Sequence, residues 1–104
     1  MTIQVANVTS AGNTVYTSTG NTAITWLSLC NHNAANTVYA NVCVVPNGGT
    51  PSVNNIVLVA LELTGSETYQ IYNAGEKLLL GNGDSIHIVA NANTVTSVTS
   101  YTTI

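Results

Sequence analysis

Short runs of alternating apolar and polar residues recur along this chain, and Gly, Asn and Pro separate them. The clearest runs are TIQVANV, TAITWLSLCN, TVYANVCVV, NIVLVALEL and the final TVTSVTSYTTI. Alternation is the pattern of a half-buried strand, and many short strands with turn signals between them are typical of a sandwich or barrel. We therefore predict an all-β fold: one domain over residues 1–104, an antiparallel β-sandwich that is jelly-roll-like and has about eight strands.

The alternation also assigns side chains to faces. In TAITWLSLCN, residues Ile24 and Trp26 would share one face, and we expect Trp26 to anchor the core. The short Asn-rich loop NHNAAN follows, so we expect this strand to pair antiparallel with the next one, TVYANVCVV. No helix is predicted, since AGEKLLL is short and has glycine on either side.

Charged residues are scarce in this sequence. They make up 5% of the chain, with one Lys and a net charge of −3, against about 25% in ordinary soluble domains. Repulsion between copies is therefore weak, and a surface of this kind tends to associate. The composition indicates a protein that lies against other copies or other proteins. It argues against nucleic-acid binding, which needs Lys and Arg on phosphates, and against docking on anionic membranes.

Neither the first residues of the sequence nor its cysteines indicate secretion or metal binding. The start, MTIQVANVTS, lacks the basic residues and the apolar run of a signal peptide, and IVLVALEL is too short to span a membrane. We expect synthesis and folding in a cytoplasm. Cys30 and Cys43 have no His pair nearby, so they do not form a zinc pattern. We expect buried free thiols, with a disulfide formed after release from the cell as the alternative.

The few charged residues could suggest an active site. Apart from Glu62 they all lie between residues 66 and 88, and two carboxylates in a cleft could serve a glycosidase. Each acid there sits beside turn residues, however, so we interpret them as turn acids that face solvent. The residues concerned are Glu67, Glu76, Lys77 and Asp84.

Other catalytic patterns are equally weak. His87 could bind a metal with Asp84, but residues 84 and 87 of a strand point to opposite faces. No Gly-x-Ser-x-Gly elbow occurs, and GNGD lacks the continuation of a phosphate loop. We predict that the chain is not an enzyme and has no catalytic residue, no cofactor and no metal.

Four motifs occur in an order that resembles a known class of protein. They are YTSTGNTAITWLSLCN, VVPNGGTP, LTGSETYQI and LLLGNGDSIHI, the last placed before an expected final hairpin. Over roughly residues 13–101 this order is similar to that of small β-sandwich virion proteins of tailed bacteriophages. Such proteins decorate capsids or sit on necks and tails. The resemblance implies a β-sandwich and a place in a phage particle.

Low charge and the resemblance together predict a virion structural protein. The favoured form is a capsid decoration (cement) protein that bridges major capsid protein subunits as a homo-oligomer, with a trimer favoured. A neck, tail or fibre-base component is one alternative, and a carbohydrate-binding host-attachment module is another. Interfaces are enriched in Tyr, and terminal strands can extend a neighbour's sheet. The interface candidates are Ile3, Val5, Tyr39, Pro46, Asn47, Gly48, Gly49, Pro51, Tyr72 and Tyr101.

Overall fold

The computed structural model describes residues 2–72 and 78–104, and every regular element in these ranges is a β-strand. The predicted all-β sandwich is confirmed, with nine strands. Their bounds are β1 Thr2–Val8, β2 Asn13–Thr17, β3 Thr22–Asn31, β4 Val38–Val45, β5 Ile56–Leu63, β6 Thr68–Tyr72, β7 Leu78–Leu80, β8 Ser85–Ala90 and β9 Val95–Thr103.

The strands form two antiparallel sheets that pack face to face. Sheet A has the order β1-β9-β3-β6, and β7 also pairs with β3. Sheet B has the order β2-β8-β4-β5. Among the described strands that follow one another in sequence, only β4 and β5 pair directly. The jelly-roll connectivity stays a prediction, because this strand order establishes a sandwich and no more.

The core lies between the two sheets and consists of their inward-facing aliphatic side chains. Fully burying one such side chain contributes about 1.5–3 kcal/mol. On β4 the inward face is formed by Val38, Ala40 and Val42, which are buried in the core. The largest fully buried aliphatic residues are Ile24, Leu27, Leu29, Leu63, Ile86, Ile88, Val8, Val15, Val38, Val42 and Val95.

A β-bulge in β3 changes the face on which Trp26 lies. Ile24 and Trp26 pair with consecutive residues of β9, so Thr25 is an extra residue in the strand. Ile24 and Leu27 both reach the core, whereas Trp26 faces outward and is half-buried. The expectation that Trp26 anchors the core is wrong, because one inserted residue moves the following side chains to the other face.

The expected hairpin between β3 and β4 is also wrong, because the two strands lie in different sheets. The same correction applies to the final hairpin, since β8 belongs to sheet B and β9 to sheet A. Loop 32–37 crosses between the sheets, and the fully buried Asn31 holds it in place. Its Nδ2 donates to the carbonyls of Asn36 (2.8 Å), Leu63 (3.1 Å) and Thr64 (3.2 Å), and its Oδ1 accepts from the Asn33 N–H (3.1 Å) and the Thr94 hydroxyl (3.0 Å).

Candidate functional site

The predicted interface residues do not form one site, because they lie on opposite faces of the sandwich. Ile3 and Val5 are on the outer face of sheet A, whereas Tyr39 is on that of sheet B. Asp84 ties the loop after β4 to the β7–β8 turn, since its Oδ1 accepts from the backbone N–H of Asn47 (2.9 Å). The candidates in that loop are all exposed: Pro46, Asn47, Gly48, Gly49 and Pro51.

The remaining two candidates are tyrosines in sheet A. Tyr101 is half-buried and packs against the ring of Tyr16, with the ring centroids 4.5 Å apart. Tyr72 ends β6, and its side chain lies outside the described residues.

The outer face of sheet A carries several apolar side chains. Ile3 and Trp26 flank one residue of β9 in the same row, and Val5 lies beside Val98 in the next row. Leu79 faces outward from β7, because its neighbours on either side pack on the core. Ile3, Val5 and Leu79 are 66%, 63% and 66% exposed. We call this group the apolar face: Ile3, Val5, Trp26, Leu79 and Val98.

Charge is absent from the strands of sheet A as far as the structure describes them. The charged side chains in the described ranges are Glu62 on β5, Glu67 after β5 and Asp84 before β8. Isolated exposed apolar residues are normal, but several large ones on one sheet face without a described charge favour an interaction site. The apolar face is therefore the first candidate site.

A second candidate site is an open groove on the outer face of sheet B. It consists of two adjoining hollows of about 380 Å³ and 260 Å³ that share Asn41 and Val89. The loop after β4 forms one wall, and Tyr39 lies at the other end. The groove is lined by Ser10, Tyr39, Asn41, Cys43, Pro51, Ser52, Val53, Ile56, Ala60, His87, Val89, Ala90 and Asn91.

A strained bulge shapes the end of the groove near Tyr39. Leu58 and Leu61 both pack on the core, so Val59 and Ala60 form a bulge in β5. Ala60 adopts φ +50, which is rare for a residue with a side chain, and its N–H donates to Oδ1 of Asn41 (2.7 Å). Strained bulges of this kind are over-represented beside functional sites.

The groove presents hydrogen-bond donors next to an aromatic ring. Oδ1 of Asn41 is occupied by Ala60, and Oδ1 of Asn91 accepts the Tyr39 N–H (3.0 Å). Within the described part of the chain, Nδ2 of neither Asn has an acceptor. The Tyr39 hydroxyl donates to Oε2 of Glu62 (3.4 Å), which places a carboxylate beside the same ring.

His87 lines the other end of the groove in a crowded position. Burial lowers the pKa of His87, because desolvation disfavours the charged imidazolium. Its Nδ1 lies 3.5 Å from the Thr14 hydroxyl. A Cβ on Gly12 would come within 2.8 Å of Nε2, so only glycine fits against the ring. The His87 ring is therefore packed against its neighbours, and this position favours a structural role over metal binding.

The acids that the structure describes after Glu62 are turn residues, as expected, but only Glu67 faces solvent, because Asp84 is half-buried. Oε1 of Glu67 accepts the Thr64 N–H (3.0 Å), and Oδ2 of Asp84 accepts the Gly81 N–H (2.9 Å). Both carboxylates therefore close their own turns. Glu76 and Lys77 lie outside the described residues.

Cys30 and Cys43 are free thiols, and the fold keeps them apart. Cys30 faces outward from sheet A and is half-buried, whereas Cys43 is buried on the outer side of sheet B. In the described ranges, no group of three or more His, Cys, Asp and Glu side chains is placed to hold a metal. The same ranges contain no helix long and apolar enough to cross a membrane.

Comparisons with protein-family models, with curated proteins and with solved structures find no match to this chain. Its geometry must therefore carry the functional argument. Sequence reasoning missed Trp26 and Leu79 as surface residues. The leucine run at 78–80 was a signal for Leu79, since three consecutive leucines in a strand cannot all face one core.

Proposed function

We propose that this chain is a virion structural protein of a tailed bacteriophage, specifically a capsid decoration protein that bridges major capsid protein subunits. The observation that carries the proposal is the apolar face, which exposes three large aliphatic side chains and no described charge. The order of the sequence motifs supports the phage setting, and the low charge supports close packing against neighbours.

The dimensions of the molecule suit this role. The sandwich measures 40 × 27 × 19 Å, so a broad face offers a projected area of roughly 1,100 Å². A standard protein–protein interface buries about 800 Å² per partner. One face is therefore large enough for a stable contact with coat subunits, and the other surfaces stay available for further copies in a homo-oligomer.

The test is reconstitution on particles from which the protein has been removed. Purified protein should rebind and restore the heat resistance of the heads. Leu79→Lys places a charge on the apolar face and should abolish rebinding. Val53→Lys is the matched control, because Val53 is even more exposed but lies at the groove of sheet B. Rebinding of Leu79→Lys at the wild-type level contradicts the proposal.

Imaging of labelled particles separates the two places in the virion. Label over the whole head supports decoration of the capsid. Label at a single vertex supports the neck, tail or fibre-base alternative. Label on no particle removes the virion role.

Carbohydrate binding is a second candidate function, favoured by the groove beside Tyr39. Sugar sites combine an aromatic ring with planar hydrogen-bonding side chains, and Tyr39, Asn41 and Asn91 supply both. A glycan array probed with wild-type protein tests this function. Tyr39→Ala should remove any binding, whereas Tyr69→Ala, at a similar exposure (41% against 44%), should not. An array with no signal for wild-type protein excludes the function.

A further inference from the structure

The edges of the two sheets are not equally protected. Exposed strand edges invite pairing with other chains, and proteins block them with bulges, charges or short strands. The edge strands β2, β5 and β6 each carry a register irregularity, and β7 has three residues. Strand β1 instead pairs with β9 over seven consecutive residue pairs without a break.

The sequence of β1 contains none of the usual protective features. TIQVANV has no charged residue, no Pro and no Gly, and four of its residues are β-branched. By contrast, β5 carries Glu62 and the strained Ala60. The Ser97 hydroxyl of β9 donates to the Ala6 carbonyl (3.4 Å), and no described group outside β9 bonds to the backbone of β1. The outward-facing N–H and C=O groups of β1 are therefore an open template.

We propose that β1 pairs antiparallel with β1 of a second copy of this chain, which joins two copies of sheet A into one continuous sheet. An antiparallel pair of identical strands is self-complementary, because each copy presents the same groups to the other across a two-fold axis. No charge on either strand opposes the contact. The inference rests on the proposed assembly function, since it names one partner of that assembly.

The exposed side chains of β1 favour one register. Side chains directly opposite each other in an antiparallel pair are in contact, and β-branched residues pack well on a pleated surface. Centring the two-fold axis on Gln4 places Ile3 opposite Val5 of the other copy, twice. At the junction, the outward-facing side chains of these pairs are then all aliphatic, and they join the apolar faces of the two copies.

The experiment uses purified protein without particles, so that it does not depend on the virion role. Analytical ultracentrifugation should show a two-fold mass, and Val5→Lys should raise the dimer Kd at least tenfold while the folded spectrum is kept. Val59→Lys is the matched control, because Val59 is 69% exposed on the bulged edge β5. Leu79→Lys is a second control on the apolar face away from β1. Both controls should stay dimeric.

Two further measurements separate edge pairing from other contacts. Ile3→Lys and Val5→Glu should each be monomeric alone and should pair when mixed, since the two new charges lie directly opposite each other in this register. Alternate amides of β1 should exchange slowly with solvent at high protein concentration and quickly at low concentration. Both results would support the pairing even where one variant folds poorly.

Several outcomes would overturn the inference. Wild-type protein that stays monomeric at millimolar concentration excludes the pair, and it leaves the virion role to be judged by reconstitution. A trimer requires a head-to-tail contact and also excludes it. A dimer that Leu79→Lys breaks and Val5→Lys does not would place the contact elsewhere on the apolar face.

Discussion

Replacing Asn31 with alanine removes the side chain that ties three connections together at one end of the sandwich. Asn31 is fully buried, and its amide makes five hydrogen bonds to the β3–β4 loop, the end of β5 with the turn after it, and the β8–β9 turn. Each net hydrogen bond contributes about 1 kcal/mol, and a buried group left without a partner costs about 1–3 kcal/mol.

The two hydrogens of Nδ2 are shared among three carbonyls, so about four net bonds are lost. Their loss would cost about 4 kcal/mol, less what water recovers at the half-buried carbonyls. We therefore expect Asn31→Ala to lower the free energy of unfolding by about 3–5 kcal/mol. For a domain of this size the midpoint of thermal unfolding should fall by about 15–25 °C. Urea denaturation followed by circular dichroism and calorimetry measures both quantities.

The matched control is Asn33→Ala. Oδ1 of Asn33 accepts the N–H groups of Ala35 (2.8 Å) and Asn36 (3.2 Å), but these bonds are exposed. Its loss should cost under about 1 kcal/mol. Asn31→Asp keeps the shape and replaces the donor with an oxygen that faces three carbonyls, so it should cost at least as much as alanine. Equal stability of Asn31→Ala and Asn33→Ala would refute this account of the network.

Three further predictions concern single buried positions. The Thr99 hydroxyl is buried without a described hydrogen-bond partner, so Thr99→Val should raise the free energy of unfolding by about 1–2 kcal/mol. Thr22→Val breaks a 2.8 Å hydrogen bond and should lower it by about 1 kcal/mol. A denaturant titration that shows the same sign for both variants would contradict this. Gly12→Ala should lower the free energy of unfolding by about 2–4 kcal/mol, since φ is +85 and the new Cβ lies under 3 Å from two side-chain atoms. Gly20→Ala, at φ +69 in open space, should lower it by about 1 kcal/mol. Equal shifts of the two midpoints of thermal unfolding would rule out the crowding argument. Burial lowers the folded-state pKa of His87, so the contribution of neutral His87 to stability should be fully present above the unfolded-state pKa of 6.5 and should be lost as the pH falls toward the lower folded pKa. His87→Gln should flatten this pH dependence between about pH 7.5 and 5. An unchanged slope would show that another group causes it.

The sequence predicts the strands well and their faces less well. Alternation puts Val38, Ala40 and Val42 on one face of β4, and the structure buries that face, because β4 keeps a regular register with β8 there. It fails for Trp26, where the bulge at Thr25 inserts a residue that no local pattern marks. Bulges depend on how two strands meet, and that information is spread over distant parts of the chain.

The pairing of strands was the least accessible feature. The short loop after β3 suggested a hairpin, but the chain crosses to the other sheet there. Asn31 fixes this crossing by hydrogen bonds to carbonyls more than thirty residues away. Part of the candidate site could be named from the sequence, because Ile3 and Val5 were among the interface candidates and are exposed on the apolar face. Leu79 was missed because its exposure depends on which neighbours of the run reach the core.

The pairing of β1 with β9 also decides how the molecule responds to force. Thr2 lies opposite Tyr101, so the first and last strands run side by side in opposite directions. Tension applied at Thr2 and Tyr101 breaks the hydrogen bonds between β1 and β9 one residue pair after another, because these hydrogen bonds lie perpendicular to the strands and parallel to the force. Tension along the strands loads all seven pairs together. A scaffold built from this domain will therefore be strong when it is stretched along its sheets and weak when it is pulled by this corner.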